Sequence, residues 1–299
     1  MERIHLYNIP ASAYEHPMDR ETLETLESFS FLEGAIKSML DWSRVKAEYV
    51  IRRASSYHVT EESCPELNKL VTDAASILSV SDIPRVYLNW SYDINGYTTG
   101  YKDTTMMVLN TGVVDLMSDM EQTFVIGHEL GHIKSKHVIY HNLALLLSQG
   151  VSNIPIIGAV PELFFLALTK WSRMSEYTSD RAGLLACQDV DAALTAIVKM
   201  SGVPAKYFDR INIDAFLREA RDIESELTWS DKMYQKVINA VYNDHPWTLL
   251  RAYELKKWVD SGEYQKILDT YKAKKCPDCG GINAPDATEC DLCGYTFEC

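Results

Sequence analysis

Two histidines four residues apart with a glutamate between them, His128-Glu129-Leu130-Gly131-His132, form the most chemically specific stretch of this sequence. On an α-helix, positions i and i+4 lie one above the other about 6 Å apart, so both imidazoles face one ion and Glu129 sits beside them. Zinc held by three protein ligands keeps a fourth position open and lowers the pKa of water there to about 7. A carboxylate beside it can take the water's proton as it attacks a carbonyl, then return that proton to a leaving amine. Glu129 is placed for that general-base role in amide hydrolysis.

Such a site needs a third donor. Ser175-Glu176-Tyr177-Thr178-Ser179-Asp180 puts Glu176 and Asp180 at helical i, i+4 spacing, pointing the same way. Glu176 is expected to be the third metal ligand. Asp180, one turn on, is expected to accept a hydrogen bond from the outer ring N–H of a zinc-bound histidine and fix its tautomer. The small residues Ala182 and Gly183 let this helix approach a neighbour closely. His137 and His141 are also four apart, but on a continuous helix they are rotated roughly 140° and 180° from His132. They are expected off the metal face, solvated or capping.

A second metal pattern closes the chain. Cys276-Pro277-Asp278-Cys279-Gly280 and Cys290-Asp291-Leu292-Cys293-Gly294 are two knuckles whose four thiolates can surround a zinc ion, each with a glycine to permit the tight turn. A closed site of this kind folds a segment too short to fold unaided and does no chemistry. Docking of a substrate or partner is the functional alternative. Cys64, Cys187 and Cys299 are scattered, unlike a secreted disulfide framework, and Met1 to Tyr7 lacks the apolar region of a signal peptide, so a cytoplasmic location is expected.

The elements that must hold these groups can be read from patterning. Ser118-Asp119-Met120-Glu121 has the spacing of a capping box, so the His-Glu helix should start near Asp119, with Lys134 and Lys136 in its last turns. Arg85 to Trp90 and Thr105 to Asn110 read as strands of a small sheet of two or three strands. Leu23, Leu26, Phe29, Leu32, Ile36 and Leu40 mark an amphipathic helix from Asp19 to about Arg53, and a second runs from Pro65 to Leu78. From Glu162 to Lys275 the chain reads as helical, with breaks near Asp189, Gly202-Val203-Pro204 and Asn243-Asp244-His245-Pro246.

Residues 142–171 are the most apolar stretch, interrupted by Ser148, Asn153, Pro155, Pro161 and Glu162. A membrane span needs about 20 mainly apolar residues. A buried helical hairpin is expected, with peripheral membrane contact or a hydrophobic partner surface as the alternative. With 42 acidic against 29 basic residues, a formal net charge of −13, the overall field repels nucleic acid.

From Ile83 to Leu255 the chain resembles the HtpX-like and CAAX-prenyl-protease group of gluzincin endopeptidases. That group's edge-strand pattern, Asn-Ala-Phe-x-x-Gly, falls on Asn95-Gly96-Tyr97-Thr98-Thr99-Gly100, with glycine and tyrosine replacing alanine and phenylalanine. The resemblance implies that Asn95, Gly96 and Tyr97 bind substrate main chain by strand addition. Its Glu-x-x-x-Asp pattern falls on Glu176 and Asp180. A later His-Pro pair matches His245-Pro246, and the resemblance implies that His245 acts at the developing oxyanion. From the residues alone that pair reads as a turn before a helix. Many members carry membrane helices where this chain has its interrupted apolar stretch.

The combined expectation is an α+β, mainly α fold: a gluzincin metallopeptidase domain with a small β-sheet at 81–271, an N-terminal helical region at 1–80 packed on it, and a zinc ribbon at 272–299. Two zinc ions, one catalytic and one structural, would serve an endopeptidase acting on proteins or peptides, in protein quality control. A non-catalytic zinc adaptor and an aminopeptidase on the same scaffold are the alternatives; the intact Glu129 and Asp180 weigh against the first. The oligomeric state is left open.

Overall fold

Capping chemistry sets where the His-Glu helix begins. Ser118 Oγ accepts the Glu121 backbone N–H at 3.4 Å, and Glu121 Oε2 accepts the Ser118 N–H at 2.6 Å, which closes the expected box. The structure is a computed structural model describing residues 3–30, 32, 34, 36, 43–101, 104–148, 162–226 and 248–297.

Before the His-Glu helix lie α1 (Pro17–Glu27), α2 (Ser43–Ser55), β1 (Tyr57–Val59), α3 (Pro65–Ile77), β2 (Arg85–Asn89), β3 (Gly96–Tyr101), β4 (Thr104–Asn110) and α4 (Thr111–Leu116). The His-Glu helix itself is α5 (Asp119–Lys134). After it come α6 (Val138–Ser148), α7 (Glu162–Cys187), α8 (Val190–Met200), α9 (Ile213–Glu226), α10 (Thr248–Asp260) and α11 (Glu263–Tyr271). A two-stranded tail, β5 (Lys274–Lys275) with β6 (Ile282–Asn283), completes the chain. The fold is α+β and mainly α, as the patterning indicated.

The main sheet has four strands in the order β1-β2-β4-β3, with β2 and β4 parallel and the outer pairs antiparallel. Its fourth strand escapes patterning because β1 is only three residues long. The inner strand β4 buries Met106, Met107, Val108 and Leu109 completely, whereas β3 lies at the edge.

The long helix expected from Asp19 stops early. α1 closes at Glu27 with Ser28 as its C-cap, the Ser28 N–H donating to the Glu24 carbonyl at 3.2 Å and its hydroxyl to the Thr25 carbonyl at 2.7 Å. Leu23, Leu26, Phe29, Leu32 and Ile36 still share one apolar cluster; Leu40 lies outside the described residues. Leu143, Phe164, Leu168 and Trp171 join that cluster from both flanks of the interrupted apolar stretch. Those four side chains are core, whereas Leu145 of the same stretch is 50% exposed, and residues 149–161 are outside the description. No helix among the described residues is long and apolar enough to cross a membrane.

α5 and α7 meet through small residues. A Cβ on Gly127 would come within 2.4 Å of the Ala186 Cβ, and one on Gly131 within 2.7 Å of the Ala182 Cβ. From the other side, a Cβ on Gly183 would lie 2.7 Å from the Phe124 carbonyl oxygen. These contacts let the helix carrying Glu176 lie against the helix carrying the histidine pair.

Two of the helical breaks fall as read: Asp189 caps α8 by accepting the Ala192 N–H at 2.9 Å, and Gly202 takes φ +96° after it. The third, with His245 and Pro246, lies outside the described residues. A break the patterning missed separates α10 from α11 at Ser261-Gly262, where Gly262 adopts φ +81°. At the other end of the chain, Leu6 forms an isolated bridge with Lys272, and the Ala273 N–H donates to the His5 carbonyl at 2.9 Å, tying the N-terminus to the entry of the tail.

Candidate metal centre

The close approach of α5 and α7 brings His128, His132 and Glu176 together, with one possible donor atom from each within 4.8 Å of the others. His128 Nε2 and His132 Nε2 are 3.1 Å apart, and Glu176 oxygens lie 3.5 Å and 3.3 Å from them. Tetrahedral donors about 2.05 Å from a common zinc stand roughly 3.3 Å from one another, so the spacing fits that ion. All three side chains are buried, where ionic groups persist only when paired or metal-bound.

Asp180, one turn after Glu176, reaches the far side of the histidine pair, and its Oδ1 is 3.0 Å from His128 Nδ1. Arg251 of α10, which sequence reasoning did not single out, grips the same carboxylate with Nε at 2.9 Å and Nη2 at 2.6 Å. Its Nη1 is 3.6 Å from Glu176 Oε2. Only 2% exposed, Arg251 is the cation that balances the buried acids of this site. A lone arginine far downstream has no spacing signature. The one available clue is charge balance: three carboxylates forced into a core need a cation besides the metal.

Burial works against the charge of Asp180, but Arg251 outweighs it and holds the carboxyl below its usual range. Burial likewise opposes a charged His128, yet hydrogen bonds to Asp180 and Glu176 prevail and raise its pKa from 6.5 to about 9 without metal. For His132 burial dominates and lowers the value. The charge on Arg251 is reinforced by Asp180 and Glu176 despite its burial.

Glu129 lies beside the pair, buried, with its Oε2 accepting a 2.6 Å hydrogen bond from Thr98 Oγ1 of β3. The edge strand thus touches the candidate base directly through Thr98, whose role no motif spacing signals. Gly96 of the same strand also lies close: a Cβ there would be 3.5 Å from Glu129 Oε1 and 2.9 Å from Leu109 Cδ2. Asn95 accepts the Asn110 N–H through its carbonyl, and Tyr97 pairs with Val108 in register. No strand pairs with the outer side of β3 among the described residues.

One expectation about the histidines is corrected. His137 is not solvated: it is 2% exposed, its Nδ1 is 3.1 Å from His132 Nδ1, and its Nε2 is 3.2 Å from Asp19 Oδ2. A continuous helix would rotate His137 away, but α5 ends at Lys134 and Lys136 takes φ +59°, turning the chain so that His137 folds back under His132. Lys136 is therefore not in the helix's last turn. His141 is half-buried between Ser175 Oγ at 3.0 Å and Ser172 Oγ at 3.2 Å.

In the tail, Cys276, Cys279, Cys290 and Cys293 cluster, with sulfurs 3.6 Å apart for Cys276 and Cys293 and 3.7 Å for Cys279 and Cys290. Zinc–sulfur bonds of about 2.3 Å set tetrahedral sulfurs roughly 3.8 Å apart, so this cluster fits zinc as well. Gly280 and Gly294 adopt φ +74° and +76°, the left-handed turns expected after each knuckle.

A helix-borne His/His/Glu cluster with an adjacent carboxylate, on a mainly helical fold with a small sheet, marks a metalloprotease. The chain belongs to Peptidase family M48, whose match covers residues 62–259. That family uses zinc and acts on proteins. A family described as zinc finger protein-like matches residues 262–297. Among individual proteins, the chain is 28% identical over 263 residues to the plastoglobule-localized metallopeptidase 48, chloroplastic, of Arabidopsis thaliana, covering 87% of this chain and 76% of that protein. It is 23% identical over 239 residues to a protease HtpX homolog of Ralstonia pickettii (strain 12J), covering 72% and 81% respectively.

Proposed function

We propose that the chain is a zinc-dependent endopeptidase in which His128, His132 and Glu176 hold the catalytic metal. The observation that carries this reading is the position of Glu129, fixed by Thr98 beside a three-donor cluster of tetrahedral spacing. Zinc bound there supplies Lewis acidity and makes water nucleophilic near neutral pH. Glu129 takes the proton of the attacking water on its carboxylate and passes it to the leaving nitrogen as the amide bond breaks. Asp180, backed by Arg251, keeps the His128 ring turned with Nε2 toward the metal. An extended substrate adds to the outer side of β3 at Asn95, Gly96 and Tyr97, which brings its carbonyl past Glu129. His245 is assigned to the developing oxyanion on family likeness alone.

The tail holds a second, structural zinc through Cys276, Cys279, Cys290 and Cys293. Residues 1–80, 81–271 and 272–299 serve as packing region, catalytic domain and ribbon; the burial of Leu6, Ile9 and Tyr14 in the same core as Phe124 supports the first division. Proteins in need of turnover are the proposed substrates. Glu129→Gln should retain zinc and lose cleavage of a denatured protein, and undiminished turnover would refute the assignment. Peptides with blocked N-termini should be cut equally well, which an aminopeptidase would not do.

A further inference from the structure

The two metal-facing histidines have different backing. His128 leans directly on Asp180 from the neighbouring helix, whereas His132 meets a second histidine. With His132 Nε2 turned toward Glu176 and the metal position, its Nδ1 carries the hydrogen and donates across 3.1 Å to His137 Nδ1. His137 is then the tautomer protonated at Nε2, and that N–H points at Asp19 Oδ2, 3.2 Å away. Thr178 Oγ1, on the same helix as Glu176, donates to that Asp19 oxygen at 2.6 Å and accepts the His16 backbone N–H at 3.0 Å. With metal on His132 Nε2, each hydrogen in the chain then has one direction and one acceptor.

We infer that Asp19 and His137 form a positioning relay that orients His132 for metal, so the N-terminal segment is a working part of the catalytic centre. Both residues are sealed from solvent, Asp19 fully and His137 at 2% exposure, with Trp171 packed edge-on against the His137 ring at 5.4 Å between centroids. Burial opposes the charge of Asp19, but its bonds with His137 and Thr178 hold the carboxyl below its usual range. Asp19 lies outside the residues matched by the peptidase family, 62–259, so this chain completes its site with a residue the family match does not include. The arrangement makes the backing of the two ligands parallel: each outer ring nitrogen ends on a buried aspartate, one directly and one through a histidine. Loss of such an outer partner typically lowers metal affinity about 10- to 100-fold.

The inference rests on His132 being a metal ligand, and the test separates the two. The full-length protein is stripped of metal, and zinc affinity is measured by chelator competition for wild type, His137→Leu, His137→Gln and Asp19→Asn. Cobalt(II) absorption reports the geometry of the His/His/Glu site, and the ribbon ion serves as internal control. His137→Leu is expected to weaken that site about 10- to 100-fold and shift the cobalt bands. His137→Gln, which can accept and donate in line, should recover most of the loss, and the ribbon ion should be unaffected. Should His137→Leu fail to fold, the near-isosteric Asp19→Asn decides: a several-fold loss supports the relay. Wild-type affinity and an unchanged cobalt spectrum in a folded His137→Leu or in Asp19→Asn would overturn it. If His132→Ala binds as many zinc ions as wild type, the ligand assignment itself fails instead.

Discussion

Gly127→Ala adds one methyl group at the seam between α5 and α7, and its consequence can be worked from distances. The new Cβ would stand 2.4 Å from the Ala186 Cβ, with the Gly183 Cα at 3.1 Å and the Ala182 carbonyl oxygen at 3.3 Å. Carbon atoms pack at about 3.5 Å or more, so the helices must part by about 1 Å at this point. Overpacking of this kind costs about 1–3 kcal/mol, and the better helix propensity of alanine returns about 1. Stability should therefore fall only slightly. Function should fall much further, because Gly127 precedes His128 on one helix while Glu176 sits on the other. Metal sites tolerate roughly 0.2 Å in ligand distance, and a catalytic misplacement of about 1 Å can cost about 100-fold in rate. The assay pairs kcat/KM on a blocked peptide with zinc affinity by chelator competition. Ala186→Gly removes the opposing methyl, so the double variant should recover at least about tenfold of the lost activity. Full activity in Gly127→Ala, or a loss undiminished by Ala186→Gly, would refute the small-residue seam as the device that sets the site.

Arg251→Met strands the buried Asp180 and Glu176 without their cation, and breaking such a pair costs about 3–5 kcal/mol. The melting temperature of the zinc-free protein should drop on the order of 10 °C by calorimetry. Zinc-free protein should also lose stability as pH rises. The folded-state pKa of His128 is raised from 6.5 to about 9, so its contribution is complete below 6.5 and disappears by 9. Melting curves across that window should fall for the stripped protein and stay flat once zinc has replaced the proton. Cys290→Ser should release one of two zinc ions, counted by elemental analysis, and expose residues 274–297 to protease while peptide cleavage persists.

How much of this was legible in the chain depends on the range over which each feature is encoded. The capping box, the α-helical frame of the His-Glu motif, the β2 and β4 strands and the paired cysteine knuckles are written in residues two to four apart. Local backbone geometry alone fixes which way such side chains point, so their arrangement can be read without knowing the fold. Glu176 and Asp180 were legible as a pair for the same reason, and Ala182 with Gly183 hinted at the close helix contact that brings them to the histidines.

What only the tertiary structure decided lies between elements. Arg251 and Thr98 reach the centre from α10 and β3, and Asp19 reaches His137 from α1, each separated from its partner by whole elements, so no local spacing relates them. His137 escapes the rotation of the His-Glu helix because that helix ends at Lys134 and Lys136 takes a positive φ, a turn that no local spacing announces. A motif's spacing states which atoms can share an ion. Which carboxylate orients each histidine, and which cation balances the buried acids, follows from packing, because those partners are chosen by the need to pair every buried charge and hydrogen bond once the helices have met.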